Sequence, residues 1–128
     1  MEVFYNHLYE YKKGIRNLIL HTTSIKYKKQ IIRKLKKNSI DFLIHHVSDN
    51  VINVYFGDCL CMEMVRNLNK PKLSDLSHEE DFILGILLGY SMLHQCRRYL
   101  DRVNKGGSLW MGKAVNLKGS GEAPAMTA

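Results

Sequence analysis

The chain has 128 residues, 45% hydrophobic and 24% charged, with nineteen Lys and Arg against twelve Asp and Glu and a formal net charge of +7. That length suits one domain with a core of its own. Three cysteines, an odd count, argue against a closed disulfide framework, and the opening MEVFYNHLYEYKK lacks the apolar stretch of a signal peptide, so the expected setting is reducing and cytoplasmic.

Glu2 to Lys13 reads as a helix, with Phe4, Leu8, Tyr11 and Ile15 at helical spacing and Lys12-Lys13-Gly14 as its stop. Tyr5 and Tyr9 lie beside that stripe, as buried edges or, alternatively, an aromatic platform. Asn17 to Thr22 (NLILHT) is apolar without alternation, as in a strand buried on both faces. Thr23 or Ser24 then caps a second helix running to Ser39, with Ile25, Ile31, Ile32 and Leu35 as its apolar stripe. Residues 24–39 carry seven Lys and Arg and no acid, and the remaining twelve cations balance the twelve acids. One helix therefore holds the whole charge excess.

Ile40–Val47 and Val51–Phe56 read as two strands joined through Ser48-Asp49-Asn50, a hairpin signal. Asp58 is the expected N-cap of a helix over Cys59–Asn69, with Leu60, Cys61, Met64, Val65 and Leu68 on its apolar face. Ser77 and Glu80 form the S-x-x-E capping-box pattern and open the longest predicted helix, running to about Asn104. Its apolar run is shorter than the roughly 20 residues a bilayer requires. At 100° per residue, Phe82, Gly85, Ile86, Gly89, Leu93, Cys96 and Leu100 share one stripe, taken as the core face. Leu84, Leu87, Leu88 and Ser91 point elsewhere, which makes them the expected dimer interface. Gly85 and Gly89 lie on the core stripe and favour close packing on the sheet of the same chain over packing across a dimer.

Residues 105–128 form a Gly/Ala/Ser-rich C-terminal tail, whose Trp110, Met111, Val115 and Leu117 are expected to dock on the back of the long helix. The expected fold is α+β, in the order α-β-α-β-β-α-α. A small three-stranded mixed sheet carries packed helices, in a single domain over residues 1–104.

Chemistry is sparse. His45, His46, Cys59, Cys61, His94 and Cys96 lack the paired spacings of a zinc site, so no metal is assigned. Cys59, near a helix N-terminus, is the best-placed thiol but has no orienting partner in the pattern. No catalytic residue or cofactor is assigned, and a non-enzymatic reading is preferred. The strongest surface feature is the basic face formed by Lys26, Lys29, Arg33, Lys36 and Lys37. It suits an acidic protein partner or, alternatively, nucleic acid phosphate. Single-strand stacking has little support, because Tyr27 is the one aromatic in that helix.

The stretches NVYFGD (Asn53–Asp58), EEDFILGILLGY (Glu79–Tyr90), QCRRYL (Gln95–Leu100) and YEYKKGIRNLILHT (Tyr9–Thr22) resemble a short bacterial domain-of-unknown-function family, over about residues 1–104. The resemblance implies a small α/β fold with three strands, a homodimer, and gene neighbourhood with flavodoxin. It brings no established catalytic residues. The resulting expectation is a homodimeric protein-interaction module with an acidic redox partner such as flavodoxin; the alternative is nucleic-acid binding through helix 24–39.

Overall fold

The computed structural model describes residues 1–104, so the expected tail over 105–128 and the docking of its Trp110 lie outside the described residues. The elements are α1 (Glu2–Lys12), β1 (Leu18–Ser24), a 3-10 turn (Ile25–Tyr27), α2 (Lys28–Lys37), β2 (Asp41–His46), β3 (Val51–Gly57), α3 (Cys59–Leu68), a second 3-10 turn (Leu73–Asp75), α4 (His78–Leu87) and α5 (Met92–Val103). The α+β class and the expected order hold.

The sheet has the order β1-β3-β2, and β3 is antiparallel to both neighbours. β1 and β2 therefore run parallel to each other without touching. The expected mixed sheet is corrected to an antiparallel one. The β1–α2–β2 crossover leaves a gap one strand wide, and the return strand of the β2–β3 hairpin fills it. Central position explains why β3 is buried from Ile52 to Gly57.

Alternation along the strands sorts the core into two halves. On one face Ile19, Ile52, Val54 and Phe56 meet Phe4 and Leu8 of α1 and Ile31 and Leu35 of α2. On the other, Leu18 and Tyr55 meet Met62 and Val65 of α3 and Leu84 and Leu88 of α4, with Leu76 between. The predicted apolar face of α3 holds at Val65 but not at Leu60 or Met64, both of which are exposed; Met62 is buried in their place. Arg66 on α3 grips the Asp41 carboxylate with both terminal nitrogens and holds that pKa below its usual value, tying α3 to the start of β2.

The predicted helix over 77–104 is two helices. Leu88 caps α4, and Gly89 follows at φ +85°. The Gly89 N–H donates to the Ile86 carbonyl and the Tyr90 N–H to the Gly85 carbonyl, a Schellman ending. Ser91 then caps α5, its hydroxyl accepting from the His94 N–H at 3.4 Å. The two helices fold back antiparallel: Gly85 faces Gln95, Phe82 stacks edge-on against Tyr99 with ring centroids 5.7 Å apart, and Asp81 reaches Arg98. Gly85 thus serves close packing within the chain, but against α5 rather than the sheet.

The start of α4 is as predicted. The Ser77 hydroxyl accepts from the Glu80 N–H at 3.1 Å, and the Glu80 carboxylate accepts from the Ser77 N–H at 2.8 Å and from Lys70 at 2.7 Å. Ser77→Ala leaves that first-turn donor to solvent and lowers stability by about 1 kcal/mol in urea unfolding. A loss under about 0.3 kcal/mol would show that the box is dispensable.

Candidate functional site

The 3-10 turn and α2 present the basic face. Ile31 and Leu35 are buried against the sheet and fix which side of α2 meets solvent. Lys26, Lys29, Arg33, Lys36 and Lys37 are all exposed, and among the described residues none of them pairs with a carboxylate. The face is richer in aromatics than its own sequence indicates. Tyr5 of α1, exposed, lies beneath Lys34 with 5.9 Å to the ring centroid and accepts from the Gln30 amide at 3.2 Å. Lys26 sits 5.1 Å over Tyr27. Tyr5 and Tyr9 are not buried edges; both rings are open to solvent.

The expected dimer residues divide. Leu84 and Leu88 are buried in the chain's own second core, Leu87 is half-buried against it, and Ser91 is exposed as the α5 cap. The cover that the sequence reading sought for Leu84 and Leu88 comes from β1, β3 and α3 of the same chain. The apolar surface lies instead on part of the stripe assigned to the core. Ile86 is exposed, as are Tyr90 and Met92, and Leu93 is 79% exposed. The break at Gly89–Ser91 shifts the phase of everything after it, so residues before and after the turn do not share one stripe.

Between β1 and the α4–α5 hairpin lies a cleft of about 660 Å³. Leu20, Leu76, Leu84 and Leu88 form its apolar floor, and Gln95, Arg98 and Arg102 of α5 form its polar wall. Asp81 of α4 accepts from Arg98 Nε at 2.8 Å and Nη2 at 3.1 Å, and pairs with Arg102 Nη1 at 2.8 Å. Its carboxyl is held below the usual range, chiefly by the Arg98 hydrogen bonds and then by Arg102. A second cleft of about 480 Å³ opens on the other side of Leu88, where Arg16 donates to the Leu88 carbonyl at 3.1 Å.

The family described as "Protein of unknown function (DUF2023)" matches residues 2–102. The chain belongs to that family. The match spans nearly all of the described domain and ends at α5, in line with the resemblance seen in the sequence. A search of curated proteins found no match.

The remaining reactive side chains of this DUF2023 domain are dispersed. Among the described residues, no group of three or more His, Cys, Asp or Glu is placed to hold a metal ion. His45 and His46 point to opposite faces of β2: His45 is half-buried with Nδ1 unpartnered, and burial lowers its pKa, while His46 is exposed near Lys28 at 3.3 Å. His94 is exposed and Cys96 half-buried on α5. Cys59 is exposed in the first turn of α3, directly after Asp58. The Cys61 thiol is pushed up by burial and by Asp58. Asp58 does not cap α3 with its side chain; it accepts from Tyr11 Oη at 2.9 Å. Burial and that bond push the Tyr11 phenol up to about 12.

Sequence reasoning missed the cleft wall. Its signal is the spacing Gln95, Arg98, Arg102, which puts one amide and two guanidiniums on a single helix face, toward an acid-rich α4 start.

Proposed function

We propose that this chain is a non-enzymatic interaction module: a homodimer formed through the tip of the α4–α5 hairpin, which docks an acidic protein through the α2 face. The observation that carries the reading is the exposed apolar set Ile86, Tyr90, Met92 and Leu93 on and beside one turn, in a domain whose two cores are otherwise covered. Such clusters on a small domain are characteristic of association surfaces. The isolated chain weighs 14.8 kDa, and light scattering at micromolar concentration is expected to give twice that mass. Leu93→Glu places a charge in the interface and returns the particle to one chain. A wild-type monomer sinks the dimer.

The partner surface rests on five exposed cations within one helix and its leading turn, none of them paired with a carboxylate among the described residues. An acidic redox protein such as flavodoxin, suggested by the family resemblance, is the first partner to test. Its binding should weaken steeply with added salt and disappear on joint reversal of Lys29, Arg33 and Lys36 to Glu. Exposed Tyr5, with half-buried Tyr27 nearby, favours nucleic acid as the second reading, since bases stack on aromatic rings while phosphates meet Lys and Arg. Single-stranded RNA bound with a comparable salt slope, alongside no binding to flavodoxin, selects that reading.

A further inference from the structure

We infer that the cleft between β1 and the α4–α5 hairpin binds a small apolar monocarboxylic acid, with the carboxylate at Arg102 and the hydrocarbon body on the leucine floor. This inference goes beyond the interaction surfaces above, which lie on α2 and at the hairpin tip and share with the cleft only its rim at Tyr90. Three observations carry it.

The first is shape and lining. About 660 Å³ of space lies over Leu20, Leu84 and Leu88, which is the size and floor chemistry of a small-molecule site. The second is Gln95. Only 4% of this residue is exposed, and its side-chain amide lies in the cleft wall beside Gly85. An amide in that wall offers both a donor and an acceptor to whatever occupies the cleft. Gly85 is what allows the amide to sit there, since a Cβ at that position would overlap it. The small residue and the amide together place a neutral hydrogen-bonding group between the leucine floor and the two guanidiniums.

The third is charge. Arg98 and Arg102 face one acid, Asp81, so the wall carries one surplus positive charge. Arg98 commits two of its N–H groups to Asp81 in a bidentate pair, whereas Arg102 commits a single nitrogen. A guanidinium has five N–H donors, so Arg102 retains donors for a second carboxylate. One surplus charge balances a monoanion. A phosphate would bring a second negative charge close to Asp81 with nothing to offset it. The ligand is therefore a carboxylate with an apolar body, and a hydroxyl or carbonyl on that body would hydrogen-bond with Gln95.

The test titrates the full chain, labelled with nitrogen-15, with 2-naphthoate and separately with its neutral counterpart 2-naphthalenemethanol. The expected result is saturable shifts of the Leu84, Leu88 and Arg98 amides and of the Gln95 side-chain amide, with naphthoate about tenfold tighter than the alcohol. Arg102→Gln should erase that preference, and Arg102→Lys should keep part of it. Both variants leave Arg98 on Asp81, so the rest of the spectrum should be unchanged. The comparison of acid with alcohol on the wild-type chain stands by itself if a variant fails to fold. Equal affinity for acid and alcohol, saturable shifts confined to α2 or to the second cleft, or no saturable shift at all would overturn the inference.

Discussion

Gly57→Ala lowers the stability of the domain by about 3 kcal/mol, read as a shift of the urea midpoint followed by far-ultraviolet circular dichroism. Gly57 is the last residue of β3, paired with Leu18 on one side and Asp41 on the other, at φ +157°. A Cβ there would run into the Asn17 carbonyl oxygen and sit 3.0 Å from Leu18 Cα. Both obstacles are backbone, and the same carbonyl accepts the Asp58 N–H at 2.9 Å as the chain turns into α3. Relief requires β1 or the β3–α3 junction to move, and β1 is held along its length by β3. Gly85 offers the contrast: its obstacle is the end of the Gln95 side chain, which can turn away. A change of less than about 0.5 kcal/mol for Gly57→Ala would mean that the junction is looser than its geometry.

The second large effect is on acid stability. His21 lies on β1, 7% exposed, with its ring 5.7 Å from that of Phe4 and 5.3 Å from that of His7. Burial, then His7 and the amino terminus, lower its pKa from 6.5 to about 4. The unfolded chain therefore binds this proton at a higher pH than the folded one. Stability is unaffected by His21 above pH 6.5, falls as the pH drops from 6.5 to about 4, and levels off below. The loss across that window is up to about 3 kcal/mol. Asp41 and Asp81, held low by Arg66 and Arg98, lose their contributions further down, below the ordinary carboxylate value of 3.8, so the two windows separate. His21→Leu should flatten the dependence of the urea midpoint on pH between 6.5 and 4. Parallel profiles for wild type and variant would remove His21 as the cause.

Much of this fold is readable from side-chain periodicity and caps, because those act over one turn or one strand. Phe4 and Leu8, Ile31 and Leu35, and the Ser77–Glu80 box are local patterns with local consequences, and each is found where the pattern puts it. The strand order is not local. Both an inserted and an edge-added β3 use the same alternation of Ile52, Val54 and Phe56, and only packing of the whole sheet distinguishes them. The predicted long helix breaks at one residue. Gly89 is as acceptable to a helical stripe as to a positive-φ stop, and Ser91 two residues later restarts the helix with a new phase. That break takes Leu93 off the stripe of the preceding helix and leaves it outside, while within α4 itself the Leu84 and Leu88 side, rather than Ile86, meets the sheet. The basic face was visible because seven cations without an acid form a composition signal. The cleft was not, because Asp81 meets Arg98 and Arg102 only once the chain reverses at Gly89.

The inserted position of β3 also sets an order of events for a chain made from its amino terminus. Until residues 51–57 have been added, β1 and β2 lack their strand partner, since among the described residues each pairs only with β3. The first fifty residues thus carry the apolar strand Leu18–Leu20 with its main-chain groups unpaired. The β2–β3 hairpin closes over a short loop whereas β1 meets β3 across a much longer separation, so loop closure favours the hairpin before the β1 pairing. Assembly of the sheet is therefore gated by its last strand, and any ribosomal pause before Val51 prolongs the interval in which β1 stands open to pairing with another chain.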